Sequence, residues 1–168
     1  MKKVPHTATV LAACLTWAGI AGALETGAAV PQCKLTHFAD QSPLDLSHYQ
    51  GKVVYLDFWA SWCGPCAESM PFLSDMQKEL GAKGLEVVGV NVDEEREEAE
   101  RFLQKHPVGF TVAADPDSLC PNQFDVQAMP SSYLIDRHGK IRHVQLGFRE
   151  NERVEIRQKI EQLLAEKQ

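Results

Sequence analysis

Cys63 and Cys66 stand three positions apart with Gly64 and Pro65 between them, in the stretch Trp59-Ala60-Ser61-Trp62-Cys63-Gly64-Pro65-Cys66. Two thiols at this spacing can close a small disulfide ring and reopen it without moving the rest of a fold. Such exchange runs by attack of a thiolate on a disulfide sulfur, through a mixed disulfide that a second thiol then resolves. The residue types therefore point to redox chemistry on sulfur, and the next question is what holds the pair in place.

The run at 52–60 before the cysteines is apolar, β-branched and aromatic and is bounded by Gly51, the pattern of a buried strand. After Cys66, apolar residues recur at Met70, Leu73, Met76 and Leu80 and stop at Gly81, which predicts a helix that Pro71 kinks without ending. The cysteines then lie where a strand hands the chain to a helix N-terminus. Unpaired N–H groups and the positive end of the helix dipole favour an anion there. Such surroundings lower a thiol pKa to roughly 3.5–7.5, so Cys63 is the expected attacking sulfur. Cys66, one turn into the helix, is expected to face inward as the resolving thiol.

Other uses of a cysteine pair weigh against this one. Structural zinc wants a second pair at ligand spacing, and neither the remaining cysteines nor the scattered His37, His48, His106, His138 and His143 supply it. Cu(I) suits soft thiolates and stays open as an alternative, a binding or delivery protein using the same pair. Inert core cysteines fit poorly with a Gly-Pro turn preceded by tryptophan.

Asp57 places a carboxylate inside the apolar strand, which is unfavourable unless the acid is neutral or partnered. Strand alternation puts it on one face with Tyr55 and Trp59. A solvated edge-strand aspartate is the plainer alternative.

Asp57-Phe58-Trp59-Ala60 followed by Trp62-Cys63-Gly64-Pro65-Cys66 resembles the active-site segment of the thioredoxin superfamily. Met129-Pro130 with Ser131-Ser132-Tyr133-Leu134-Ile135-Asp136 is similar to that family's cis-proline loop and following strand. The resemblance runs from about residue 34 to the C-terminus and is greatest to the TlpA-like, membrane-associated or periplasmic thiol-disulfide oxidoreductases. It implies an α/β fold, a thioredoxin-like three-layer sandwich with a mixed central sheet. It also implies that Asp57 relays protons to and from the resolving thiol, and that the bare backbone at Met129, beside cis Pro130, pairs with an extended substrate. Two departures stand out, and a third residue weighs against a peroxidase. Gly89 occupies the place near the acid where classical thioredoxins carry a lysine, so Asp57 should be harder to ionise. Ser69 stands where many relatives place a glutamate; Glu68, one position earlier, reads as a solvated first-turn residue. Peroxidases of related fold want a threonine three residues before their cysteine, and here that residue is Ala60.

The chain has 168 residues, 44% of them apolar, and no linker or repeat divides it, which predicts one domain at 24–168. Strands are expected at 34–38, 53–60, 85–92 and 110–113, and a hairpin with arms 132–136 and 140–146. Helices are expected at 63–80, 94–106, 118–124 and 151–166. Residues 1–23 read as an export leader: Lys2 and Lys3, an apolar stretch, then Ala21-Gly22-Ala23 as a small-residue cleavage site. Lipidation at Cys14 or retention as an anchor are the alternatives to cleavage after Ala23. Cleavage would take the net charge from −6 to about −8, against nucleic acid or anionic membrane as partners. It would also leave Cys33, Cys63, Cys66 and Cys120, an even set that in an oxidising compartment suggests a structural Cys33–Cys120 bridge; two separate thiols are the alternative.

The expected protein is a periplasmic, monomeric protein-disulfide reductase acting through Cys63, Cys66 and Asp57. Trp62, Gly64, Pro65, Met129 and Pro130 shape its substrate groove. Its partners would be exported proteins with disulfides, such as an apo-cytochrome or a copper-site protein, and a membrane electron donor. No cofactor is implied beyond the sulfurs.

Overall fold

The computed structural model describes Leu24 and residues 26–166. The leader at 1–23, with Cys14 and the Ala23 cleavage site, lies outside the described residues. The elements follow in the order β1 (Leu35–His37), β2 (Pro43–Leu44), β3 (Val53–Trp59), α1 (Gly64–Leu80), β4 (Leu85–Asn91), α2 (Arg96–Lys105), β5 (Thr111–Ala114), α3 (Cys120–Gln123), β6 (Ser131–Ile135), β7 (Ile141–Leu146) and α4 (Arg153–Ala165).

One mixed sheet runs β2-β1-β5-β4-β3-β6-β7. β3, β4 and β5 are parallel, and each successive pair is joined by the crossover that parallel strands require, through α1 and then α2. β1 and β6 flank them antiparallel, and β2 and β7 close the edges. β3 lies inside the sheet between β4 and β6 and is buried along its whole length, which is why its sequence is a near-continuous apolar run.

Alternation along β3 divides the core. Val54, Leu56 and Phe58 face Phe124 and Tyr133 in one cluster, whose three aromatic rings meet at centroid distances of 5.0–5.9 Å. Val53 and Tyr55 face Leu73, Met76, Ile156 and Ile160 of α1 and α4. Farther along the same strand, Trp59 joins Cys66 and Met70 of α1 with Ala99 and Phe102 of α2. Helices thus cover both faces of the sheet, the thioredoxin-like three-layer sandwich implied by the element order.

Differences from expectation lie at element ends and have local causes. α1 continues through Pro71 and stops at Gly81. α3 shrinks to one turn because Ser118 and Asp125, on either side of it, have φ of 52° and 51°. The last helix begins with a 3₁₀ turn at Glu150–Glu152. β2 and the 3₁₀ turn Leu46–Tyr49 were not legible, since two residues cannot display a period.

Candidate active site

Cys63 is the N-cap of α1, extended at φ −89° and ψ 102°, with Gly64 and Pro65 opening the helix. Proline suits that turn because its missing N–H would have had no helical partner. The Cys63 sulfur accepts a hydrogen bond from the Cys66 backbone N–H at 3.2 Å. The cap that is usually an oxygen is here the reactive atom itself, held where free N–H groups favour negative charge. The two sulfurs are bonded to each other, with Cα atoms 5.3 Å apart.

Cys66 is fully buried and Cys63 is 4% exposed. An attacking sulfur is expected to be accessible, and that expectation for Cys63 needs correction: tied to Cys66 and packed in the Trp59, Cys66 and Met70 cluster, it shows little surface in the bonded form. It borders an open depression whose walls include Trp62, Gly64, Ala67 and Phe102. Trp62, 67% exposed, stands beside it. Glu68 is exposed as expected but lies just past the first helical turn, which contains no acid, so its first-turn placement is corrected too. Ser69 is buried and donates to the Cys66 carbonyl at 3.0 Å.

Asp93 anchors the turn ahead of the cysteines. Its carboxylate accepts from the Ser61 N–H at 2.9 Å and hydroxyl at 2.8 Å, and from Asn91 Nδ2 at 2.7 Å. This residue was missed as part of the site, although an Asn-x-Asp at a strand end offered a signal.

Asp57 is 2% exposed and pairs across the sheet with Gly89 on β4 and Ser132 on β6. Ser132 Oγ donates to its Oδ1 at 2.6 Å. Burial pushes the Asp57 carboxyl up to about 7, against the opposing pull of the Ser132 hydrogen bond. Gly89 is the position expected to lack a cation, and space accounts for it: a Cβ there would lie 2.8 Å from Phe110 Cε2 and 3.2 Å from Trp59 Nε1.

The Met129–Pro130 peptide is cis. Met129 packs against the cluster that holds Cys63 and Cys66. The Pro130 carbonyl accepts from Gly147 N–H at 2.7 Å, whereas the Met129 backbone makes no hydrogen bond among the described residues. An extended segment could pair there, next to the sulfurs.

Cys33 and Cys120 are also bonded, Cα atoms 5.5 Å apart, on the opposite face of β3 beside Leu56 and Phe58. Among the described residues no three His, Cys, Asp or Glu side chains group as a metal site.

The family model described as Redoxin matches residues 25–164. The chain belongs to the redoxin family. Among relatives of this redoxin is the thiol-disulfide oxidoreductase ResA of Geobacillus kaustophilus, 30% identical over 133 residues, 79% of this chain and 76% of the relative. ResA of Oceanobacillus iheyensis is 33% identical over 132 residues, 77% of this chain and 69% of the relative. A Chlorobium tepidum structure described as a candidate thiol:disulfide interchange protein DsbE superposes with a TM-score of 0.81 at 42% identity, covering 84% of this chain and 99% of that one. This redoxin is a TlpA-like member of the thioredoxin superfamily and a thiol-disulfide oxidoreductase.

Proposed function

We propose that this redoxin reduces disulfides in exported proteins through Cys63 and Cys66. The Cys63 thiolate attacks one sulfur of the substrate disulfide, and the other sulfur leaves as a thiolate. Asp57 takes the proton of Cys66, whose thiolate then attacks Cys63 and releases the second substrate sulfur. One substrate disulfide becomes two thiols, and one enzyme dithiol becomes the Cys63–Cys66 disulfide. Trp62, Gly64, Pro65, Met129 and Pro130 form the groove in which the substrate segment lies.

The observation that supports this most is the 3.2 Å hydrogen bond from the Cys66 N–H to the Cys63 sulfur at a helix N-terminus. It favours Cys63 as the anion that attacks the substrate disulfide. Asp57, buried with a proton affinity near neutrality, has the property a proton relay needs at pH 7. Residues 1–23 serve as the export leader, and a membrane electron donor restores the dithiol.

Redox titration of the Cys63/Cys66 pair, together with reduction of insulin by the dithiol form, tests this. A potential near that of thioredoxin, roughly −270 mV, with insulin reduction is expected. A potential near that of strong oxidants, about −120 mV, would make the protein an oxidase instead. Stoichiometric Cu(I) retention by the reduced pair without insulin reduction would make it a metal carrier.

A further inference from the structure

We infer that Ser132 is a positioning residue for the reaction, standing in for a cation beside Asp57 by holding its Oδ1 and leaving Oδ2 to exchange a proton with Cys66. This deepens the reading of Asp57 as proton relay and rests on it.

Ser132 lies in β6, a strand buried throughout, at a position whose β3 partner is Asp57. A hydroxyl in the middle of a sheet is unfavourable without a partner, and this one donates to Asp57 Oδ1 at 2.6 Å. Oδ2 has no hydrogen-bond partner among the described residues. A donated hydrogen bond stabilises the carboxylate over the acid, so it acts in the same direction as a neighbouring cation would.

The surroundings leave this task to Ser132. On β4 the facing residue is Gly89, roofed by Trp59 and Phe110. On β3 the nearest titratable group is Tyr55, whose hydroxyl is held un-ionised by burial first and by the Asp57 charge second; it also sits against Ser132. Glu152, ahead of α4, acts on Tyr55 and not detectably on Asp57. On that face of β3, Tyr55 packs with Leu73 and Trp59 packs with Cys66 and Met70 of α1, none of them a charged side chain. Among the described residues, burial raises the Asp57 carboxyl and the Ser132 hydrogen bond opposes it.

Ser132 also has a place in the sequence of events. It is two residues beyond Pro130, on the strand that leaves the loop where a substrate segment would pair. The donor that tunes the relay and the backbone that receives the substrate therefore belong to one element.

The test is the pH dependence of single-turnover reduction of a fluorogenic disulfide peptide by the full-length reduced protein. The rate of the parent should rise along a limb centred near pH 7, the value to which Asp57 is pushed. Ser132→Ala and Ser132→Val should move that limb upward by about one to two pH units, as expected on loss of a hydrogen bond to a charged group. At pH 7 both should turn over about 5- to 50-fold more slowly, yet approach the parent rate above the shifted limb. Ser132→Thr, equal in shape to valine but with the hydroxyl, should restore the parent profile. A limb unmoved in both hydroxyl-free variants, or a threonine variant that behaves like valine, overturns the inference. Asp57→Asn separates the two layers. If its limb disappears while that of Ser132→Val stays at pH 7, only the part given to Ser132 fails; if the limb survives in Asp57→Asn, the relay itself fails and the inference with it.

Discussion

Asp57 carries the clearest consequence at the scale of single residues. Its carboxyl titrates near 7 in the folded chain and near 3.8 when released from burial. The folded state therefore binds this proton more tightly, and stability falls as pH rises from about 4 to about 7 and stays low above that. Asp57→Asn removes the titration and keeps an oxygen to accept from Ser132. We expect urea denaturation of the oxidised variant to match the parent near pH 4 and to show it more stable at pH 8, by at most about 4 kcal/mol. A stability difference independent of pH would contradict the buried, proton-holding state. Turnover should move the opposite way, slower in Asp57→Asn near neutral pH. The cysteines were legible in the sequence from residue type and spacing, and Asp57 as an acid within an apolar strand, whereas Pro130 and the relay role of Asp57 were read from the family resemblance of the segments around them. Ser132 was not legible, since its partner is 75 positions away and only strand register brings them together. The burial of Cys63 was missed for a similar reason, because packing of Met70, Ala99 and Phe102 around it is a tertiary effect.

At the scale of elements, β3 and β4 run parallel so that Trp59 and Asn91 end side by side. The chain after β4 supplies Asp93 to the turn after β3, which links the second strand to the placement of the cysteines. Gly89 belongs to the same arrangement. A side chain on it would meet the Phe110 ring at 2.8 Å and the Trp59 ring at 3.2 Å. Gly89→Ala should therefore lower the unfolding free energy by about 1–3 kcal/mol, measured by urea denaturation, since overpacked cores shift or strain their neighbours. A neutral or stabilising effect would mean that Phe110 moves aside freely. The type and order of the long elements could be read from periodicity. The short ones could not: β2 and α3 owe their form to edge pairing and to left-handed backbone at Ser118 and Asp125.

At the scale of the whole molecule, two disulfides lie on opposite faces of β3, Cys63–Cys66 with α1 and Cys33–Cys120 with α3. The first closes a three-residue separation, and the second spans 87 positions and ties the segment before β1 to α3. A bridge over so long a loop restricts the unfolded chain heavily, so Cys33→Ser with Cys120→Ser should lose about 2–5 kcal/mol of stability. Disulfide exchange at Cys63 and Cys66 should persist in that variant, and its loss would assign the second bridge a redox role. The even cysteine count made this bridge an equal alternative to two free thiols, because sequence does not carry the distance between residues 33 and 120. The central claim, that Cys63 attacks and Cys66 resolves, is tested most directly by trapping. Cys66→Ser and Cys63→Ser proteins, each incubated with a disulfide peptide, are digested and the mixed disulfide is located by mass spectrometry. The account predicts a peptide adduct on Cys63 that accumulates in Cys66→Ser and none on Cys66 in Cys63→Ser; an adduct on Cys66 alone, or on neither cysteine, would contradict it.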